Sequence, residues 1–193
     1  MTKGNAEVIT IVSGLPRSGT SMMMKMLDAG GIPALTDNIR AADEDNPLGY
    51  YEFEAVKQIK KDTTWLKDAA GKVVKMVHLL LLDLPNDRTY RVVFMRRKLE
   101  EVVASQNVML ERKGKSAGNL SAEQIIGAFR SQLQKVDDHM RANPTFQVLH
   151  VDYNDLLKAP APWVEKLSEF LGGGLDKDAM LRVVDPSLYR QRR

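Results

Sequence analysis

A run of residues near the amino end combines the groups that bind a small anion: Ser13-Gly14-Leu15-Pro16-Arg17-Ser18-Gly19-Thr20-Ser21. The glycines let backbone N–H groups turn toward an anion, and the hydroxyls of Thr20 and Ser21 add hydrogen-bond donors. Arg17 supplies a fixed positive charge, and no acidic residue falls between Glu7 and Asp28 to oppose it. We call residues 13–21 the phosphate loop, because this composition predicts a site for a phosphate or a similar anion.

The phosphate loop lies between a predicted strand and a predicted helix. Glu7–Val12 is a short β-branched run typical of a buried strand, and Ser21–Leu27 has the apolar pattern of a helix that ends at Gly30. A helix that begins directly after the loop would direct the positive end of its dipole at the anion. The alternative is a turn without a ligand, and the strand–loop–helix order disfavours it.

Strands and helices alternate along the rest of the chain. The predicted strands are Val73–Val77, Arg91–Met95 and Phe146–Val151. The predicted helices are Phe53–Lys61, Glu100–Glu111, Ser121 to about Arg141, Pro160 to Gly172, and a short one within Asp176–Arg193, whose end is a basic tail. This order predicts an α/β fold, a single P-loop domain over residues 1–193, with a mostly parallel sheet of about four or five strands and helices on both faces. Ligands in such folds bind beyond the carboxyl ends of the strands, and the aperiodic segment Pro33–Tyr50 is a long loop of the kind that is often functional.

The composition excludes several classes of protein. The chain has 193 residues, of which 44% are hydrophobic and 27% charged, as expected of a globular domain. It contains no cysteine, which excludes disulfides, thiolate metal sites and a cysteine nucleophile. The net charge of +3 is spread along the chain, so no nucleic-acid partner is expected. No apolar run approaches the length of a membrane span, the start is not a secretory signal, and a cytoplasmic location is expected.

The segment Pro16-Arg17-Ser18-Gly19-Thr20-Ser21 resembles the 5′-phosphosulfate loop of sulfotransferases that use 3′-phosphoadenosine-5′-phosphosulfate (PAPS). That loop reads Pro-Lys/Arg-Ser-Gly-Thr-Thr/Ser in the family. The resemblance implies that Arg17 contacts the phosphosulfate and its bridging oxygen. It also implies that the 5′-phosphate is held by the neighbouring loop residues, which are Pro16, Ser18, Gly19, Thr20 and Ser21.

The same family has an Arg at a strand end and a Ser eight residues later, and both hold the 3′-phosphate. Here Arg97 follows the strand Arg91–Met95, and Ser105 lies eight residues beyond it. A guanidinium and a hydroxyl suit a phosphate monoester, and ATP has no 3′-phosphate. The alternative is a chance spacing on a solvated helix face, where Glu100 and Glu101 pair with lysines.

Two weaker resemblances extend the match, and two features depart from it. Asn46–Glu52 is similar to an Asn-Pro-x-Gly-Tyr-Phe-Glu segment of bacterial relatives, and Val151–Leu156 is similar to a Tyr-Glu-Asp-Leu segment, which implies that Tyr153 lies near the adenine. Met22 stands where the family often has an adenine-stacking Trp, and a C-terminal Arg-Lys-Gly segment is missing. The basic tail Tyr189–Arg193 could replace that segment, and a homo-oligomer could complete the acceptor side.

Sulfuryl transfer requires stabilisation of the leaving oxygen and a general base. By analogy with phosphoryl transfer, Arg17 and Lys75 would stabilise charge on the bridging oxygen, and no metal is required. His78 and Glu52 are the candidate bases, with a structural histidine and a helix-starting acid as the respective alternatives. The other histidines, His139 and His150, are interpreted as structural, and residues 43–45 as a solvated loop.

The predicted function is transfer of a sulfuryl group from PAPS to a hydroxyl or amine of a small-molecule, glycan or lipid acceptor, with release of 3′-phosphoadenosine-5′-phosphate (PAP). One alternative is an ATP-dependent kinase, since Gly14 and Gly19 have Walker A spacing and Asp152 ends a hydrophobic run as a Walker B residue does. Against it, Thr20 stands where a Walker A loop has lysine. A non-catalytic nucleotide-binding module is the second alternative.

Overall fold

A four-stranded parallel sheet forms the centre of the protein in a computed structural model, which describes residues 8–37, 50–112, 114 and 120–185. The strands are β1 (Val8–Gly14), β2 (Val73–Val77), β3 (Thr89–Arg96) and β4 (Phe146–Asp152), in the spatial order β2-β1-β3-β4. After β1 the chain forms β2 on one side of β1, and it then crosses over to form β3 on the other side. This reversal creates a crevice at the carboxyl ends of β1 and β3, where ligands of open α/β sheets bind.

The strand ends line up at one edge of the sheet. Gly14, the last residue of β1, pairs with Val77 of β2 and with Met95 of β3. Arg96 at the end of β3 pairs with Asp152 at the end of β4. The segments that follow the strands therefore start side by side.

Helices cover both faces of the sheet. The α-helices are α1 (Thr20–Ala29), α2 (Leu99–Arg112), α3 (Ala122–Ala142), α4 (Tyr153–Lys158), α5 (Pro160–Phe170) and α6 (Lys177–Val183). Short 3-10 helices span Glu54–Gln58, Thr64–Lys67 and His78–Asp83. None of the helices in the described ranges is long and apolar enough to cross a bilayer.

Each face of the sheet has its own hydrophobic core. On one face, strand residues such as Ile11 and Phe94 pack with α2, α3 and the 3-10 helices. On the other face, Val12 and Val93 pack with α1, α4, α5 and α6. Alternation along β1 and β3 sends successive side chains to opposite cores, which is why apolar residues are consecutive at Ile11–Val12 and at Val92–Met95.

The fold class and all four predicted strands are confirmed, with strand ends shifted by two residues at most. The prediction of a helix over Phe53–Lys61 is wrong, because only a 3-10 helix forms, at Glu54–Gln58. Val56 and Ile59 are both buried, and three residues per turn place them on the same side. Helix α4 was not predicted. It begins where the Asp152 carboxylate accepts a hydrogen bond from the backbone N–H of Asp155 at 2.9 Å.

Candidate functional site

The phosphate loop connects β1 to α1 through a tight turn. The Ser18 side chain is buried, and its hydroxyl donates to the carbonyl of Leu15 at 2.7 Å. The residues on either side of it, Arg17 and Gly19, have left-handed backbone conformations, with φ of 71° and 96°. Ser18 therefore closes the turn from inside, while the backbone around it is fixed in the kind of conformation that makes anion-binding concavities.

Two glycines of the loop leave no room for a side chain. A Cβ on Gly19 would lie 2.4 Å from Cδ2 of Tyr153, and a Cβ on Gly14 would lie 2.7 Å from the Met95 carbonyl oxygen. Both distances are far below van der Waals contact, and both glycines have positive φ. The backbone of the phosphate loop therefore packs directly against Met95 of β3 and Tyr153 of α4.

The amino end of α1 faces this loop. In the described structure no side chain caps the helix, whose N-cap is Gly19, and its first turn contains no acid. An α-helix leaves its first N–H groups without partners inside the helix, and its dipole favours negative charge there. This end of α1 is therefore suited to an anion.

Lys75 of β2 lies beside the loop, opposite Val12 of β1. Its Nζ is 3.4 Å from Oγ of Ser21, and it also donates to the carbonyl of Tyr50. The same ammonium lies 5.9 Å from the centroid of the Tyr50 ring. Lys75 thus brings a second positive charge to the amino end of α1.

The two halves of the predicted site are in direct contact. Nε of Arg17 donates to Oγ of Ser105 on α2 at 3.0 Å. Nη1 of Arg97 donates to the backbone carbonyl of Arg17, also at 3.0 Å. The structure therefore places the residues expected at the 5′-phosphosulfate and those expected at the 3′-phosphate in one crevice.

A buried carboxylate is part of this crevice. Glu101 of α2 is 0% exposed, and its Oε2 accepts from Nε of Arg97 at 2.9 Å. Asn154 of α4 donates from Nδ2 to both oxygens of Glu101, at 3.0 and 3.1 Å. The alternative that places Glu101 on a solvated helix face is wrong, because Glu101 lies on the side of α2 that faces the interior of the protein. We call Arg97, Glu101, Ser105 and Asn154 the Arg97 network.

Tyr153 joins the phosphate loop to the Arg97 network. Its ring lies against Gly19, and Cζ of Arg97 is 4.8 Å from the ring centroid. Burial raises the pKa of the Tyr153 hydroxyl, and the nearby Arg97 opposes that shift. Tyr153 is therefore neutral at physiological pH, and its ring forms a flat, partly apolar surface beside the phosphate loop.

Arg96 and Arg97 are adjacent in sequence but point to different places. Arg96 pairs with Asp137 of α3 and lies 4.9 Å above the Phe94 ring. His150 is close to the same Asp137, with Nε2 at 3.9 Å from Oδ1. Only Arg97 therefore reaches the phosphate loop, and Arg96 belongs to a separate cluster on the α3 side.

The two candidate bases are placed differently. His78 is only 3% exposed, and its Nε2 contacts Oε1 of Gln132 on α3 at 2.9 Å. Burial lowers the pKa of His78, although the contacts with Gln132 and the Gly14 backbone oppose the shift. Glu52 is half-buried in the segment that continues from Tyr50, and its carbonyl accepts from Oγ1 of Thr36 at 2.9 Å. His78 is thus turned toward Gln132 of α3 and also lies near the Gly14 backbone.

Some sequence predictions lie outside the described residues. These include the acids at 43–45, the first part of the Asn46–Glu52 resemblance, and the basic tail Tyr189–Arg193. In the described residues, no group of three or more acids or histidines is gathered as a metal site would require. Sequence reasoning did not identify Glu101 and Asn154 as site residues. They come together only through the packing of α2 against α4, which no local sequence pattern predicts.

Comparison with known proteins identifies the family. A family model for the sulfotransferase domain matches residues 9–193. The chain is 22% identical over 191 residues to sulfotransferase 1A1 of Bos taurus, covering 94% of this chain and 64% of the relative, and the same values hold for that of Canis lupus familiaris. The chain thus spans less than two thirds of the length of these curated relatives.

Solved structures share the fold. The sulfotransferase domain from the Synechococcus PCC 7002 olefin synthase aligns with a TM-score of 0.55 at 15% identity, covering 98% of this chain and 89% of that one. A sulfotransferase from Mycobacterium tuberculosis aligns with a TM-score of 0.57 at 18% identity, covering 92% and 70%. Because the sulfotransferase domain model matches residues 9–193, almost the whole length of this chain, the chain belongs to the sulfotransferase domain family.

Proposed function

We propose that this protein is a sulfotransferase that moves the sulfuryl group of PAPS to a hydroxyl or amine and releases PAP. The observation that carries the proposal is the contact between Arg17 and Ser105, together with that between Arg97 and the Arg17 carbonyl. Family members share the chemistry of sulfuryl transfer, and these contacts support a single nucleotide site. The uncapped amino end of α1 fits the donor, since its first N–H groups can bind the 5′-phosphate, and Gly19 lets the loop backbone pack against Tyr153 beside it.

Each residue of the site has a role in this proposal. The loop N–H groups and Ser21 bind the 5′-phosphate, and Arg97 with Ser105 binds the 3′-phosphate. Arg17 and Lys75 stabilise the negative charge on the bridging oxygen when its bond to sulfur breaks. Tyr153 lies where the adenosine part of the donor would extend from the loop.

The acceptor must lose a proton as its oxygen or nitrogen forms the new bond to sulfur. We assign this proton to Glu52, because its chain segment adjoins Tyr50 and Lys75, whereas His78 is buried against Gln132. Glu52→Gln should lower kcat by at least about 100-fold and leave the Kd for PAP unchanged. A comparable loss in His78→Gln, with full activity in Glu52→Gln, would reverse the assignment.

Ligand-induced thermal stabilisation tests the donor half of the proposal. PAP without metal should stabilise the fold by about 2.7 kcal/mol at a hundredfold excess over its Kd. An ATP-dependent kinase would respond to ATP with magnesium instead. The kinase alternative is also weakened by Asp152, whose carboxylate caps α4 by accepting from the Asp155 N–H.

Transfer from labelled PAPS to a panel of acceptors tests the catalytic half. A non-catalytic module would bind PAP but label no acceptor. We expect a small-molecule acceptor from membership in the sulfotransferase domain family, and the panel should therefore start with small alcohols, phenols and amines. Metal independence and a cytoplasmic location stay predictions, as do a single domain over 1–193 and a homo-oligomer.

A further inference from the structure

The Arg97 network contains a charge that nucleotide binding alone does not explain. A fully buried carboxylate beside an arginine costs solvation free energy and reduces the positive charge offered to a phosphate. Yet Glu101 is 0% exposed and touches Arg97, a residue expected to hold the 3′-phosphate. A site that needed only positive charge would be better served without it.

The contacts of Glu101 fix the plane of a guanidinium. Asn154 holds both carboxylate oxygens, and one of them accepts from Nε of Arg97. With Nε held, the Arg97 fork cannot rotate freely, and its Nη1 meets the carbonyl of Arg17. A chain of hydrogen bonds thus runs from α4 through α2 to the phosphate loop.

The end of that chain is a strained position. Arg17 is a non-glycine residue with a φ of 71°, a conformation that side chains disfavour and that persists only where neighbours enforce it. Its carbonyl is held by Arg97, and its side chain is held by Ser105. The conformation of the phosphate loop therefore depends on the orientation of Arg97.

We propose that Glu101, held by Asn154, is a positioning residue that aims Arg97 and, through Arg97, holds the phosphate loop in its binding conformation. The inference rests on the proposed function for the identity of the ligand. It adds that the two ends of the nucleotide are recognised by coupled parts of the protein. Loss of the Glu101 charge should then weaken binding at the 5′-phosphate as well as at the 3′-phosphate.

Calorimetric titration with AMP and with PAP tests this coupling, because AMP has only the 5′-phosphate. In Glu101→Gln the Kd for PAP should rise at least about tenfold, the scale of one charge-assisted hydrogen bond. The Kd for AMP should also rise, although AMP has no 3′-phosphate for Arg97 to bind. Glu100→Gln is the matched control, since Glu100 is the exposed neighbour on the same helix, and it should change neither Kd.

The outcomes separate the two proposals. If the wild-type protein binds neither PAP nor AMP, the proposed function fails. If the wild type binds both and Glu101→Gln binds them equally well, the positioning role fails. A variant that melts at a lower temperature but keeps both Kd values would show that Glu101 is only structural.

A second variant approaches Glu101 from its other side. Asn154→Ser removes the two contacts from Nδ2 without touching Arg97, and it carries the test should Glu101→Gln not fold. It should raise the AMP Kd several-fold. In the combination with Arg97→Lys it should add little, because the Asn154 effect passes through the Arg97 guanidinium. Full additivity of the two substitutions would overturn the proposal.

Discussion

The phosphate loop and the Arg97 network bind parts of one nucleotide in the proposed function, but they are built in different ways. The loop is mainly backbone, shaped by Gly19 and by the Ser18 turn. The network is entirely side chains, contributed by α2, α4 and the end of β3. A backbone site is encoded in consecutive residues and tolerates few substitutions, whereas a side-chain site is assembled by packing and fails gradually when one member is lost.

The largest effect is expected at Gly19, because a substitution there tests most directly whether the backbone site tolerates fewer changes than the side-chain site. In Gly19→Ala the new Cβ would meet the Tyr153 ring at 2.4 Å, and the residue would keep a φ of +96°. Relief of the clash must move the loop backbone that binds the 5′-phosphate, and loss of two hydrogen bonds to a charged group, at about 1.5 kcal/mol each, would raise the Kd for PAP about 100-fold. Calorimetric titration measures it.

Gly31→Ala is the control for this substitution. Gly31 has a similar φ of +102°, but a Cβ there would meet nothing within 4 Å. It should lower the free energy of unfolding by about 1–2 kcal/mol and leave the PAP Kd unchanged. Equal losses of PAP affinity in both variants would show that close approach to Tyr153 is irrelevant.

The next effect distinguishes Arg17 from Arg97. Arg17→Ala should lower kcat by about 100- to 1,000-fold, because it removes a cation from the leaving oxygen. Arg97→Ala should act mainly by raising the KM for PAPS. Arg96→Ala, the adjacent control, should change PAP affinity less than about twofold, because Arg96 contacts Asp137 instead. Unchanged kinetics in both Arg17→Ala and Arg97→Ala would reject the assigned site.

A smaller effect is expected at Ser105, which connects the loop to the network. Ser105→Ala removes the acceptor for Nε of Arg17 and should raise the PAP Kd about 3- to 10-fold. Ser168→Ala is the matched control, since Ser168 is also buried but lies in the core of α5. A loss above 100-fold at Ser105 would mean that the network is as intolerant as the loop.

The smallest effect concerns His78, which lies beside the Gly14 backbone and Gln132 and to which the proposed function assigns no role in nucleotide binding. Burial lowers the pKa of His78 in the folded state, so the unfolded chain binds a proton more readily. The free energy of unfolding should therefore fall as pH drops below about 6.5, by at most about 1.4 kcal/mol per pH unit. His78→Gln should flatten this slope in denaturant titrations at pH 5 to 7. An unchanged slope would place the titrating group elsewhere, with His150 the next candidate.

The difference between a backbone site and a side-chain site also explains which features could be predicted from the sequence. The strands were predictable because they are short runs rich in β-branched residues, and β1 in particular is buried on both faces of the sheet. The phosphate loop was predictable because its glycines and hydroxyls are consecutive. Glu101 was not identified as a site residue, because only the packing of α2 against α4 decides that this acid, rather than Glu100, is buried. For His78 the sequence gives the spacing but not the direction of the ring, which contacts Gln132 in the structure, so its role as a base stays a prediction.

The central place of β1 has a consequence for biosynthesis. Thr10 pairs with Val73 on one side and with Arg91 on the other, so β1 is synthesised before either of these partners and must wait for segments far along the chain. Such long-range pairing is slow and leaves an apolar, β-branched segment exposed during synthesis. Translation must pass β3 before the sheet can close around β1, and until then β1 lacks the strand that covers its second edge.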